Sequence, residues 1–170
     1  MKLITVQTKD IIRKSEKGFT LIELLVVIGI LAILMGIVLI AINPAAQFAQ
    51  ANNTTRTNAV TQILNAVGQY SADNKGLLPP GIPVGASNAA GVEIADTTSV
   101  PGAADICSKI MPSYIPSLPT DPSLNTASVT SCATYRTDYK IWQDANGRVT
   151  VFAPGAEAVR GTTPTIQVTR

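Results

Sequence analysis

An uninterrupted apolar run, Leu24 to Ile42, constrains this chain more than any other feature. It contains only aliphatic residues, Met, Ala and Gly, with no charge and no hydroxyl. At about 1.5 Å of rise per residue, such a run gives roughly 28 Å of helix, close to the ~30 Å hydrocarbon core of a bilayer. We therefore predict a membrane-spanning helix, with one carboxylate, Glu23, placed unexpectedly at its start.

The positive charge of the chain is concentrated in the segment before this run. The whole sequence holds 13 basic and 11 acidic residues, a net charge of +2. Residues 1–18 hold five of the basic and two of the acidic residues, which leaves the remainder at −1. Because no stripe of Lys and Arg and no basic–aromatic alternation follows, we expect no direct nucleic-acid site.

Three interpretations compete for residues 1–42. Two of them follow from the length and charge of the segment, and the third follows from its sequence motif. A cleaved secretory signal has an apolar stretch of about 7–15 residues and a small-residue cleavage site, and neither fits here. A signal anchor fits better, with the basic side in the cytoplasm and the C-terminal part outside. A carboxylate inside a spanning helix costs about 2.5–3.5 kcal/mol, so Glu23 either has a partner or reaches the headgroups near the positive end of the helix.

The segment Lys17 to Ile28, KGFTLIELLVVI, resembles the N-terminal signature of type IV prepilins and of the pseudopilins of type II secretion. The resemblance implies that a prepilin peptidase cleaves between Gly18 and Phe19 and that the new amino group of Phe19 is methylated. It also implies that Glu23 faces the Phe19 amine of a neighbouring subunit in a filament. Such pairing would set the register between subunits, because opposite charges attract strongly in a low-dielectric bundle and each alone is costly.

The same resemblance implies partners and a location. The partners are other subunits in a helical homo- or hetero-filament, the prepilin peptidase, an inner-membrane assembly platform and, before assembly, membrane lipid. The location is the cytoplasmic membrane, crossed once with the C-terminal domain outside, and then a cell-surface filament. Cell adhesion, DNA uptake and type II secretion are all compatible with the signature.

A second hypothesis from a different class is a monomeric, signal-anchored extracytoplasmic binding module. It would keep residues 1–18, whereas a filament subunit loses them at Gly18. We expect neither an enzyme nor a cofactor, because the chain has no His. That absence excludes Ser-His-Asp, Cys-His and His-containing metal arrangements, and no phosphate-binding or dinucleotide motif is present.

The pattern as a whole predicts an α+β, pilin-like fold, in which a long N-terminal helix packs on a small antiparallel sheet. Pro44 should interrupt the helix, because it removes a backbone donor and disfavours helix at the preceding residue. The predicted segments are a cleaved basic leader 1–18, a transmembrane or filament-core helix 19–43, an amphipathic helix 44–76, an irregular Pro/Gly-rich connection 77–133, and a sheet region 134–170.

The amphipathic helix should bury one face under the sheet, with a coiled-coil partner as the rival. The predicted apolar face consists of Phe48, Ala51, Thr55, Ala59, Val60, Ile63, Leu64, Ala66, Val67 and Tyr70. The predicted polar face consists of Asn52, Asn53, Arg56, Asn58, Gln62, Asn65 and Gln69.

Strands are predicted over 134–142, 148–153 and 166–168, with the Asn-Gly pair at 146–147 closing a hairpin. In the first strand, alternate residues from Tyr135 to Ile141 should share a face. For the second strand, either Val149 and Val151 or Thr150 and Phe152 should face the helix. Asp105 to Met111 predicts one short helix with Asp105 as its N-cap.

Cys107 and Cys132 are the only two cysteines. Outside the membrane they are expected to form a disulfide, which could stabilise by roughly 3 kcal/mol; two reduced thiols are the alternative. Two cysteines without His cannot hold zinc, and no metal site is expected. Four carboxylates, on Asp121, Asp138, Asp144 and Glu157, could offer oxygen atoms to calcium, but without a calcium-loop spacing we interpret them as solvated turn residues.

Overall fold

The computed structural model describes residues 18–85 and 91–170. Most of the predicted basic leader therefore lies outside the described residues. The chain divides into two units, one ending at Ile42 and the other running from Asn43 to Arg170, and each is described by itself.

The described part of the first unit contains one helix, α1, over Leu21–Ile42. Every side chain described along it from Leu21 to Leu39 is exposed, although all but Glu23 are apolar or glycine. Residues Leu21–Leu39 are long and apolar enough to cross a bilayer. A helix that is apolar all round needs lipid or other protein around it, because exposing such a surface to water is unfavourable.

The second unit begins with α2, Pro44–Asp73. Asn43 separates it from α1 and adopts a left-handed conformation with φ 47°. The side-chain oxygen of Asn43 accepts the N–H of Ala46 at 3.4 Å, and Pro44 occupies the first helical turn, where its missing donor costs nothing. The helical run is therefore interrupted at the Asn-Pro pair.

The sheet has four strands, β1 Val92–Ala95, β2 Arg136–Gln143, β3 Val149–Ala153 and β4 Ile166–Thr169. They pair antiparallel in the order β1-β2-β3-β4. Strands β2 and β3 are the two inner strands, and Ile141 of β2 lies opposite Val92 of β1 and Val151 of β3. The architecture confirms the α+β, pilin-like prediction.

The core lies between α2 and the inner face of this sheet. Val60 and Ile63 of α2 are fully buried, as are Tyr139, Ile141 and Val151 of the sheet. Each aliphatic group of this kind, once buried, contributes about 1.5–3 kcal/mol, so this contact accounts for much of the stability of the second unit. Of the two faces proposed for the second hairpin strand, the one with Val149 and Val151 enters the core.

The predicted faces of α2 are wrong near its N-terminal end. Phe48 is 72% exposed, and Ala51 and Thr55 are also exposed. The first buried residue of α2 is Ala49, so the buried face of the helix is rotated about the helix axis relative to the predicted face. Arg56, predicted on the polar face, is only 1% exposed. A buried counterion makes that burial possible, as described below.

The predicted irregular connection is more ordered than expected, because it contains strand β1 and a 3-10 turn over Pro122–Leu124. The short helix predicted from Asp105 to Met111 is present as α3, Cys107–Ile110. Asp105 is not the N-cap of α3: Ile106 is, without a side-chain hydrogen bond. The Asp105 carboxylate instead accepts the hydroxyl of Tyr135 at 2.9 Å.

Candidate processing and assembly site

The residues predicted to be cleaved and methylated precede α1 and are open to their surroundings. Phe19 is 88% exposed. Gly18 is exposed as well, and a Cβ built on it meets no atom within 4 Å. Within the described residues, nothing covers the Gly18–Phe19 peptide bond, so an enzyme could reach this backbone.

Glu23 and Thr20 form a capping box at the start of α1. The N–H and hydroxyl of Thr20 both donate to Oε2 of Glu23, at 2.8 and 2.7 Å, and the N–H of Glu23 donates to the Thr20 hydroxyl at 3.2 Å. This reciprocal arrangement satisfies donors that the first helical turn leaves unpaired. Its sequence signal is the spacing Thr-x-x-Glu before an apolar run, although the predictions from sequence did not include it.

A second polar cluster lies inside the second unit and centres on Arg56. Its guanidinium makes a two-pronged contact with Asp121, from Nε to Oδ2 at 2.8 Å and from Nη2 to Oδ1 at 2.9 Å. Nη1 donates to Asn53 at 3.1 Å and to Glu157 at 2.9 Å. The Arg56 and Asp121 side chains are 1% and 0% exposed, so this is a desolvated ion pair with nearly complete hydrogen bonding.

The carboxylates of this cluster have shifted pKa values. Burial alone would raise the pKa of Asp121, but hydrogen bonds from Arg56 and Ser123 outweigh it and hold the pKa below its usual value. Hydrogen bonds from Asn52 and Arg56 lower the pKa of Glu157. Both carboxylates therefore favour the charged form at neutral pH.

The cluster joins three separate segments of the chain. The Asn53 amide donates to the carbonyl of Glu157 at 2.8 Å and accepts its N–H at 2.9 Å. Arg56 reaches the turn containing Asp121, 65 residues away in sequence. The interpretation of Asp121 as a solvated turn carboxylate is therefore wrong, because its charge is compensated in the interior rather than by water.

The other two candidate calcium carboxylates pair with arginine at the surface. Asp138 accepts a hydrogen bond from Nε of Arg136 at 2.8 Å, and Asp144 accepts one from Nε of Arg148 at 2.7 Å. Among residues 18–85 and 91–170, no group of three or more potential ligand residues is placed to hold a metal ion.

Cys107 and Cys132 are joined by a disulfide, with their Cα atoms 5.6 Å apart. Cys107 is fully buried at the start of α3, whereas Cys132 lies in the irregular segment shortly before β2. Both cysteines lie in the connection between β1 and β2, and the bond ties α3 to the segment that enters β2.

Taken together, an apolar N-terminal helix, a second helix and an antiparallel sheet define a pilin-like protein. Residues 13–39 match the family model of the prokaryotic N-terminal methylation motif, which is the signature of type IV prepilins and pseudopilins. The comparisons with curated proteins and with solved structures gave no significant match. The motif supports a processed, pilin- or pseudopilin-like structural subunit, and such signatures imply prepilin peptidase processing and self-assembly in general.

Proposed function

We propose that this chain is the structural subunit of a type IV pilus or of a type II secretion pseudopilus. Prepilin peptidase cleaves after Gly18, the Phe19 amine is methylated, and the mature protein polymerises from the cytoplasmic membrane into a filament. The observation that carries the proposal is the methylation motif over residues 13–39, which extends into an apolar helix with a single carboxylate.

The geometry around Glu23 supports its assembly role. Both hydrogen bonds that its carboxylate accepts from Thr20 end on Oε2. Within the described residues Oε1 accepts none, and it is therefore open to a further donor. The methylated Phe19 amine of a neighbouring subunit supplies both a donor and the opposite charge, which offsets the cost of holding a carboxylate in an apolar bundle.

The surface of α2 also supports polymerisation. Its only charged residues are the buried Arg56 and the terminal Asp73, so its open face carries no charge before the last turn. The hydroxyls of Thr54 and Thr55 donate to backbone carbonyls four residues earlier, at 2.9 and 3.1 Å. A face without charges and with satisfied hydroxyls suits packing between copies, because like charges brought together by identical subunits are costly.

Replacement of Glu23 tests the proposal. We expect Glu23→Ala to be inserted and cleaved normally but to give few or no filaments, because the Phe19 amine loses its counterion. Glu23→Gln keeps the size and one acceptor but not the charge, and we expect a similar loss. Filament yield by electron microscopy, with membrane insertion measured in the same cells, reports the outcome. Filaments from Glu23→Ala at the wild-type level would contradict the pairing mechanism.

A further inference from the structure

The turn between β2 and β3 contains Asn146-Gly147, the single Asn-Gly pair in the sequence. In the sequence this pair indicates a hairpin and nothing more, and the proposed function assigns it no role. Both residues are exposed, and Gly147 has φ 78°. The pair is therefore an accessible, chemically distinctive dipeptide outside the regular strands.

Asp144 organises this turn through several hydrogen bonds. Its Oδ1 accepts the N–H groups of Asn146 and Arg148 at 2.8 and 2.9 Å, and its carbonyl accepts the N–H of Gly147 at 3.0 Å. The side-chain amide of Asn146 makes no hydrogen bond within the described residues, so it can rotate freely toward the following peptide group.

We infer that Asn146 is a site of spontaneous deamidation in the folded protein. The backbone nitrogen of Gly147 attacks Cγ of Asn146, and a new bond between these two atoms closes a five-membered succinimide. The bond from Cγ to Nδ2 breaks, and Nδ2 leaves as ammonia with the backbone proton. Water then opens the ring at either carbonyl and leaves an aspartate or an isoaspartate. The net change is the exchange of an amide for a carboxylate, with water consumed and ammonia released.

The local structure favours this reaction at Asn146. Gly147 has no side chain to hinder attack by its nitrogen, and no atom lies within 4 Å of the position a Cβ would take. One main-chain hydrogen bond, from Gly147 to Asp144, must open first, and exposed turns open more readily than strands. Asn125 provides the contrast: it too is exposed, with φ 49° beside a 3-10 turn, but the β-branched Thr126 follows it.

The two products would affect the hairpin differently. Aspartate adds a negative charge beside Asp144 but leaves the backbone unchanged. Isoaspartate inserts an additional carbon into the backbone, so the hydrogen bonds that Asp144 accepts from the N–H groups of Asn146, Gly147 and Arg148 cannot all be retained. Because the turn fixes the register that places Gln143 opposite Val149, we expect isoaspartate to destabilise the second unit more than aspartate does.

Ageing of the purified full-length protein in detergent at mildly alkaline pH tests the inference. Peptide mapping by mass spectrometry measures amide loss at Asn146 and Asn125, and enzymatic carboxyl methylation detects isoaspartate. We expect Asn146 to lose its amide several-fold faster than Asn125. Asn146→Gln is the matched control, since its ring closure would need six members, and it should keep its amide. Asn146→Asp gives the charge without the longer backbone.

Two results would overturn the inference. One is equal rates of amide loss at Asn146 and Asn125 in the folded protein. The other is conversion of Asn146 in the urea-denatured protein while the folded protein keeps its amide over the same period. The second result would mean that the hydrogen bond from Gly147 to Asp144 prevents the attack.

Discussion

The Arg56–Asp121 pair makes a buried arginine compatible with the core. Removing one partner of such a pair leaves an uncompensated charge in the interior, which typically costs about 3–5 kcal/mol. We expect Asp121→Asn to lower the free energy of unfolding of the second unit by about 3 kcal/mol or more, because its amide keeps the size of the carboxylate and loses the charge. Chemical denaturation of the full-length protein in detergent measures this change.

Asp138→Asn is the matched control. Asp138 pairs with Arg136, whose side chain is 55% exposed, and such surface pairs contribute about 0–1 kcal/mol. Asn also tolerates the left-handed backbone that Asp138 adopts at φ 59°. Equal losses from Asp121→Asn and Asp138→Asn would mean that the buried pair has no special role in stability.

Acid should weaken the wild-type protein through the same carboxylate. The pKa of Asp121 is lower in the folded protein than the ~3.9 of an unfolded aspartate, so its contribution is present above that value and is lost as pH falls through the folded pKa. Asp96 adds an effect of the same sign, because hydrogen bonds from Ser99 and from the N–H of Tyr135 lower its pKa to about 2. The Asp121→Asn variant should show a shallower loss of stability below about pH 4.

At the scale of single elements, α2 changes character along its length. Its later turns bury Ile63 and Val67 under the sheet, whereas Phe48 in its second turn is open. If this open part packs between subunits, a charge there should prevent assembly without unfolding the protein. We expect Phe48→Glu to abolish filaments while leaving the thermal unfolding midpoint unchanged.

Leu77→Glu is the comparison for that experiment, since Leu77 is 69% exposed just beyond the C-terminal end of α2. It should leave filament yield near the wild-type level. If both variants assemble normally, the open face of α2 is not a packing surface; if both fail, a general intolerance of added charge explains the loss.

Periodicity predicted the elements better than it predicted their contacts. Alternation and the Asn-Gly turn located the hairpin of β2 and β3, and the helical spacing located α2. The same spacing placed Arg56 on the solvent-exposed face, because a periodicity argument assigns every charged residue to that face. It could not detect the partner Asp121, which is 65 residues away in sequence. Strand β1 was missed because it has only four residues and is defined by its pairing with β2.

At the scale of the whole molecule, the distribution of charge is the feature that most suggests assembly. No charged residue occurs between Glu23 and Arg56, and Arg56 itself is neutralised within the fold. This uncharged length exceeds the roughly 20 residues that cross a bilayer, and it extends into the second unit. A membrane anchor that acts alone does not need an uncharged stretch longer than the bilayer. Helices that pack against copies of themselves do benefit from one, because like charges on identical subunits would repel each other.

The intact mass of the subunit in filaments sheared from cells is the decisive test of the filament assignment. We predict a mature protein that begins at N-methylated Phe19 and is found in a polymeric fraction. A protein that retains Met1, recovered only as a monomer from the membrane, would contradict the assignment and leave a tethered exterior domain as the explanation.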